Sequence, residues 1–141
     1  MTNSPRTVMA FDFGLSQIGI AVGNTVLGTT QALGILKAND GSPDWSAVSL
    51  IILEWQPQLL VVGSPINMDG TESALSARAD KFARRLHGRF GMEVTLMDER
   101  LSSFEAKQVA REAGHKGDYK ARPIDGVAAE LILKSWLSEN T

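Results

Sequence analysis

The stretch Val8-Met9-Ala10-Phe11-Asp12-Phe13 is an apolar run that carries a single charge, the carboxylate of Asp12. Runs of this kind are typical of a strand that is buried on both faces in the middle of a sheet. Because an unpaired carboxylate is costly to bury, the place of Asp12 at the end of this run needs a chemical reason. Asp12 is therefore the first candidate for a functional residue.

Two further acids stand next to predicted elements. Glu99 directly follows the strand-like run Glu93-Val94-Thr95-Leu96-Met97, and Asp125 follows Pro123 at the start of a helical pattern. Three carboxylates that converge on one point would hold a divalent metal ion, because hard cations prefer carboxylate oxygens.

Each acid also has a purely structural interpretation. Asp12 could accept hydrogen bonds from the amides of the Gly14 loop, and Glu99 could pair with Arg100. Asp125 could be a favourable charge in the first turn of a helix. Asp98 is an adjacent candidate ligand in place of Glu99.

Length and composition restrict the class of protein. A chain of 141 residues, of which 43% are hydrophobic and 21% charged, predicts one globular α/β domain over residues 1–141. No apolar run is long enough to span a membrane, and the first five residues lack the apolar core of a signal peptide, so we expect a cytoplasmic protein. The absence of cysteine excludes disulfides, thiolate zinc sites and a cysteine nucleophile.

Basic residues form two local clusters, although the net charge of -2 gives no global attraction for nucleic acid. In a helix predicted from about Glu72 to Phe90, a basic ridge borders the apolar stripe. The second cluster lies just before Asp125. Either cluster could be an ordinary solvated surface, but beside the three acids they favour phosphate contacts. Their members are Arg78, Lys81, Arg85 and Arg89 in the ridge and Lys116, Lys120 and Arg122 in the second cluster.

The order of elements is predicted from periodicity and turn residues. Three antiparallel strands come first, at residues 7–13, 17–24 and about 28–35, followed by a helix capped by Asp44 and ended by Pro57. Strands at 59–63 and 93–97 flank the basic-ridged helix. A capping box of Ser102 and Glu105 opens a helix to about Ala113, and the last helix is predicted from Pro123 to about Leu137.

Several motifs, in this order and spacing, resemble those of the YqgF family of pre-16S rRNA nucleases, also called RuvX, within the RNase H-like superfamily. The resemblance covers nearly the whole chain. The motifs are Ala10-Phe11-Asp12-Phe13-Gly14 with Ile18-Gly19-Ile20-Ala21-Val22-Gly23, Asp40-Gly41-Ser42-Pro43-Asp44-Trp45, Glu54-Trp55-Gln56-Pro57, Val62-Gly63-Ser64-Pro65-Ile66-Asn67-Met68-Asp69-Gly70-Thr71-Glu72, His87-Gly88-Arg89-Phe90-Gly91, Asp98-Glu99-Arg100-Leu101-Ser102, and Asp125 followed by Ala128-Ala129.

The resemblance implies an RNase H-like fold with a five-stranded mixed sheet, three strands antiparallel and two parallel, flanked by helices. It also implies an acidic metal site of the Holliday junction resolvase type. Matched by position, Asp12 is the acid of the first strand, Glu99 the acid after the fifth strand and Asp125 the acid opening the last helix. Together they would hold two Mg²⁺ or Mn²⁺ ions for phosphodiester hydrolysis.

The implied role is trimming of the 5′ side of 16S rRNA precursors, with pre-rRNA as partner and a ribosomal particle as a source of specificity. Cleavage of branched DNA at Holliday junctions and a noncatalytic RNA-binding role in ribosome assembly are the alternatives, and the chain could be a monomer or a homodimer. Arg100 is a phosphate contact because its fork matches two oxygens. Asn67 and Thr71 are either phosphate donors or turn residues, and Trp45, Trp55 and Trp136 are interpreted as core.

Two departures from the family pattern stand out. Ser16 occupies a position where relatives often carry Lys or Arg, and the fourth strand ends in Val61-Val62-Gly63-Ser64, without the acid that the wider resolvase group has there. A site with three ligands rather than four could mean weaker metal binding, a need for substrate phosphates to complete the site, or lost activity.

Overall fold

The computed structural model describes residues 6–64, 74–98 and 126–140. Nine elements lie in these ranges. They are β1 (Thr7–Asp12), β2 (Gln17–Asn24), β3 (Thr29–Asn39), β4 (Ser42–Pro43), α1 (Trp45–Trp55), β5 (Leu59–Ser64), α2 (Ala74–Phe90), β6 (Val94–Asp98) and α3 (Val127–Asn140). The predicted helix at residues 102–113 lies outside the described residues.

The strands form one sheet in the order β4-β3-β2-β1-β5-β6. β1 to β4 are antiparallel to their chain neighbours, whereas β1, β5 and β6 run parallel. The predicted mixed sheet of antiparallel and parallel strands is thus confirmed, with six strands rather than five. The additional strand, β4, has only two residues.

The missed strand is explained by a tight turn. Asp40 and Gly41 both have positive φ, of 52° and 84°, and connect β3 to β4 as a two-residue hairpin. An Asp-Gly pair is the usual sequence for such a turn, because both positions must adopt left-handed backbone angles. The predicted order passes from the third strand directly to the helix capped by Asp44, without this short strand.

Two apolar cores lie on opposite faces of the sheet, and β1 contributes to both. Met9 and Phe11 belong to the core under α1 and α2. Val8 and Ala10 belong to the core under α3. The alternation of side chains along a strand accounts for this division, and it confirms that β1 is buried on both faces.

Helix α1 has the predicted ends. The side chain of Asp44 accepts a hydrogen bond of 3.0 Å from the backbone N–H of Ser46, and Gln56, with φ of 48°, terminates the helix before Pro57. Helix α3 differs from the prediction, because it begins at Val127 rather than Pro123. Within the described part of the chain, no helix is long and apolar enough to cross a bilayer.

Candidate metal centre at the sheet edge

Asp12 is the last residue of β1, the strand between β2 and β5. It pairs with Gly19 of β2 and with Gly63 of β5. Because Val8 and Ala10 lie on the α3 face, alternation places Asp12 on that face too. The side chain is half-buried, so it sits where the core ends and solvent begins.

The two strand neighbours of Asp12 are glycines, so neither places a side chain beside it. A β-carbon added at Gly19 would lie 3.6 Å from the β-carbon of Asp12 and 3.5 Å from the α-carbon of Gly126. The α-carbon of Gly126 and the β-carbon of Asp12 therefore both lie within van der Waals contact of the position that a side chain at Gly19 would take. Asp12 and the start of α3 share one small region of the α3 face.

Gly126 is held tightly against the sheet. It has φ of +73°, and a β-carbon there would lie 2.8 Å from the carbonyl oxygen of Ile20 and 3.2 Å from the backbone nitrogen of Gly34. Both the backbone angle and the close approach therefore require glycine. The Gly126 carbonyl accepts the first helical hydrogen bond, from the N–H of Glu130 at 2.8 Å.

A bulge in β3 lies at the position where Gly126 packs against the sheet. The register between β2 and β3 shifts between Ile20 and Ala21, which pair with Gly34 and Ala32, so Leu33 is the additional residue. Bulges bend a strand and are frequent next to functional sites. Here the backbone of Gly126, at the start of α3, packs against Ala32 and Gly34 on either side of the bulge.

In the sequence, the predicted ligand Glu99 directly follows the last residue of β6. Gly63 pairs with Met97, and Ser64 with Asp98, so the carboxyl end of β6 is at the same edge of the sheet as Asp12. Parallel strands place their carboxyl ends together, and this is the edge at which open α/β sheets bind ligands. Asp98 is the last described residue there.

The predicted site residues fall into two groups. Asp12, Arg78, Lys81 and Arg85 are described, whereas the others lie outside the described residues. Among the described residues, no group of three or more potential metal-ligating side chains occurs. Since two of the three predicted ligands fall outside these ranges, the ligand set stays a prediction. The residues outside are Glu99, Asp125, Arg100, Asn67, Thr71, Lys116, Lys120 and Arg122.

The three described basic residues differ in their contacts. Arg78 donates to the backbone oxygen of Asp40 at 2.5 Å and lies 3.2 Å from the Asp40 carboxylate. It thereby ties α2 to the β3–β4 hairpin. Lys81 and Arg85 are exposed, and no salt bridge within the described ranges involves either of them.

The tryptophans pack as predicted. Trp136 is buried in the core under α3, and Trp45 and Trp55 pack against the other core while remaining partly exposed. Two features were not predicted: Gly126 as the anchor of the α3 start, and a contact between Arg89 and Trp45. A Gly immediately after Asp125 was visible in the sequence, but its close approach to Ile20 depends on tertiary packing.

Comparison with known proteins places this arrangement in a family. The RuvX family model, described as Holliday junction resolvase, matches residues 6–139. A protein of Chromohalobacter salexigens named "Putative pre-16S rRNA nuclease" is 56% identical over 136 residues, covering 96% of this chain and 92% of its own length. A protein of the same name from Azotobacter vinelandii is 50% identical over 137 residues, covering 97% and 96%.

Solved structures support the fold. The structure of Thermus thermophilus RuvC in complex with a Holliday junction substrate has a TM-score of 0.58 and 13% identity, with 95% of each chain covered. The fowlpox virus Holliday junction resolvase has a TM-score of 0.57 and 14% identity, covering 96% of this chain and 99% of its own. At such identities the likeness concerns the fold alone, whereas the family match and the relatives cover nearly the whole sequence. The chain belongs to the RuvX family, with an RNase H-like fold.

Proposed function

We propose that this protein is a metal-dependent nuclease that hydrolyses phosphodiester bonds at the edge formed by β1, β6 and the start of α3. Asp12, Glu99 and Asp125 are the proposed metal ligands. The proposal rests most on one arrangement. Asp12, at the end of the central strand, and Gly126, the residue that directly follows Asp125, both pack close to Gly19 on the α3 face of the sheet.

The alternation along β6 supports Glu99 over Asp98 as the ligand from that strand. Met97 is in register with Gly63 and hence with Asp12, and it packs against the core under α3. Side chains on one face of a strand recur every second residue. Glu99 is the next residue in the series that contains Met97.

The surroundings of Asp12 fit a small hard cation. A half-buried carboxylate offers the oxygen donors that such a cation prefers, and the glycines on both neighbouring strands place no side chain beside it. Mg²⁺ or Mn²⁺, bound as a pair, would stabilise the charge that develops on the attacking and leaving oxygens of a phosphodiester.

The chain itself would supply position and charge. Asp12 is fixed by a strand that is hydrogen-bonded on both sides, and Gly126 fixes the backbone next to Asp125. Sites built on such rigid elements hold reacting groups in place, which lowers the entropic part of the barrier. Beyond the acids, we propose that Arg100, Asn67, Thr71, Lys116, Lys120 and Arg122 contact substrate phosphates.

The proposed substrate is the 5′ side of precursor 16S rRNA, in the cytoplasm and with a ribosomal particle as partner. The names of relatives 50% to 56% identical over nearly the full chain support this choice. Holliday junction cleavage is the second candidate, since the family description and the fold neighbours both concern junction resolvases. The resolvase function would require a two-fold dimer that presents two sites to the junction.

The test compares three labelled substrates with Mg²⁺ or Mn²⁺: precursor 16S rRNA leader, single-stranded DNA and a four-way DNA junction. Asp12→Asn is the test variant, and Asp80→Asn, which removes a partly exposed carboxylate that pairs with Arg84 on α2, is the matched control. We expect RNA cleavage by wild type and Asp80→Asn, lost in Asp12→Asn and with chelator. Selective cleavage of the four-way junction would show that the substrate is branched DNA rather than precursor rRNA. RNA binding without cleavage of any substrate would refute the nuclease function and favour the noncatalytic role in ribosome assembly.

A further inference from the structure

One flank of α2 carries a row of positive charge outside the acidic edge. Lys81, Arg85 and Arg89 follow one another at steps of four residues, and all three are exposed. In the part of the chain that the structure describes, none of them has an acidic partner. Residues four apart on a helix lie about 5–6 Å from each other, so the row presents evenly spaced cations. We call these three residues the α2 basic row.

The row ends at a groove between α2 and the beginning of α1. The groove has a volume of about 540 Å³ and is lined by Trp45, Ser46, Ser49, Leu50, Arg89 and Phe90. Serine hydroxyls can donate to phosphate oxygens, and the apolar groups can pack against sugar. None of the described residues lining the groove is acidic, and the nearby Asp44 caps α1 by accepting from the N–H of Ser46.

Arg89 is held in position at this groove. Its guanidinium carbon lies 4.3 Å from the centre of the Trp45 ring. That ring is itself fixed, because it stacks on Phe82 at 5.7 Å and packs against Phe90 at 6.4 Å. A guanidinium held over an aromatic ring loses less freedom on binding an anion, and its fork can contact two phosphate oxygens.

Arg78 does not belong to the row, although it lies only three residues before Lys81 on α2. Its guanidinium is committed to Asp40, and it lies 3.3 Å from the position that a β-carbon at Gly41 would take. That same position is 3.0 Å from the ring of Phe13, the residue after Asp12. Phe13 packs in the core under α1 and α2, whereas Asp12 lies on the α3 face, so the row runs along α2 on the face of the sheet opposite Asp12.

We propose that the α2 basic row and the groove at Arg89 bind the sugar–phosphate backbone of a single-stranded stretch of the nucleic acid, beyond the bond that is cut. The row from Lys81 to Arg89 covers about 12 Å of helix, which suits a few nucleotides of an extended strand. A basic groove that follows the backbone binds without reading bases. This inference rests on the proposed nuclease function, because it assigns a second contact region to the same substrate.

The test measures binding separately from cleavage. In an Asp12→Asn background without divalent metal, fluorescence anisotropy would give the affinity for a labelled 12-nucleotide single-stranded RNA across a salt series. Arg85→Gln and Arg89→Gln should each weaken binding about fivefold at 0.1 M salt and reduce the salt slope by about 0.7, the value for one lost phosphate contact on a single strand.

Arg84→Gln is the matched control, since Arg84 is on the same helix, loses the same charge and pairs with Asp80 at 2.6 Å. We expect its affinity to stay within twofold of the background. Equal weakening by Arg84→Gln would reduce the effect to overall charge and overturn the proposal, as would unchanged binding in both row variants.

Cleavage assays with Asp12 restored separate the two proposals. Cleavage that requires Asp12, combined with row variants that bind normally, would refute only the role of the row. Binding that requires the row, without cleavage of any substrate, would refute only the nuclease function.

Discussion

Replacement of Gly126 by alanine tests the close packing against the sheet that positions the start of α3 near Asp12. The new residue would have to adopt φ of +73°, and its β-carbon would lie 2.8 Å from the carbonyl oxygen of Ile20. The left-handed backbone angle costs about 1–2 kcal/mol for a residue with a β-carbon. Forcing the helix start away from the sheet adds about 1–3 kcal/mol, as for other overpacked sites.

Gly28 provides a control that separates these two costs. It has nearly the same backbone angle, φ of +68°, but a β-carbon there would meet nothing within 4 Å. Gly28→Ala should therefore show only the cost of the backbone angle, about 1–2 kcal/mol. The difference between their losses in free energy of unfolding measures the cost of the close approach between Gly126 and the sheet.

Urea denaturation followed by circular dichroism would give both free energies of unfolding. We expect Gly126→Ala to lower the free energy of unfolding by about 2–5 kcal/mol, clearly more than Gly28→Ala does. A decrease in the free energy of unfolding for Gly126→Ala that is no larger than that for Gly28→Ala would mean that the start of α3 does not pack tightly against Ile20. The inference that Asp125 lies near Asp12 would then be unsupported.

Three further stability predictions use the same assay. Thr30→Val should cost about 1–2 kcal/mol, because the Thr30 hydroxyl donates to Glu130 at 2.6 Å where that side chain is only 23% exposed; an equal loss in Thr29→Val, at the exposed neighbour, would contradict this. Asp44→Ala should cost about 1 kcal/mol through loss of the α1 cap, and Asp44→Ser should recover most of it; no difference between the two would refute capping by this side chain. Phe82→Ala should cost about 3–5 kcal/mol, because Phe82 contacts the rings of Phe11, Phe13 and Trp45; a loss below 1 kcal/mol would mean that these rings do not form one core.

Local patterns in the sequence were sufficient for much of the fold. The apolar run of β1 predicted a strand buried on both faces, and Asp44 and Pro57 predicted the ends of α1. These features depend on residues close together in the chain. Strand β4 could also have been predicted, because the Asp40-Gly41 turn is a local signal.

Other features depend on contacts between distant residues and could not be predicted. The helix start at Val127 follows from the fit of Gly126 against Ile20, more than a hundred positions away. The same holds for Arg78, which periodicity grouped with the other basic residues but which pairs with Asp40. Sequence reasoning identified the basic flank of α2, whereas the structure distinguishes Arg78, which ties α2 to the β3–β4 hairpin, from Lys81 and Arg85, which have no acidic partner among the described residues.

Titration of Mn²⁺ by electron paramagnetic resonance is the most direct test of a metal centre made by Asp12, Glu99 and Asp125. Wild type would be compared with Asp12→Asn, Glu99→Gln and Asp125→Asn, and with Asp98→Asn as the neighbouring-carboxylate control. We predict that each of the three ligand variants weakens Mn²⁺ binding by at least about tenfold, while Asp98→Asn binds like wild type. Wild-type affinity in Asp12→Asn, or a loss in Asp98→Asn with none in Glu99→Gln, would contradict the proposed centre.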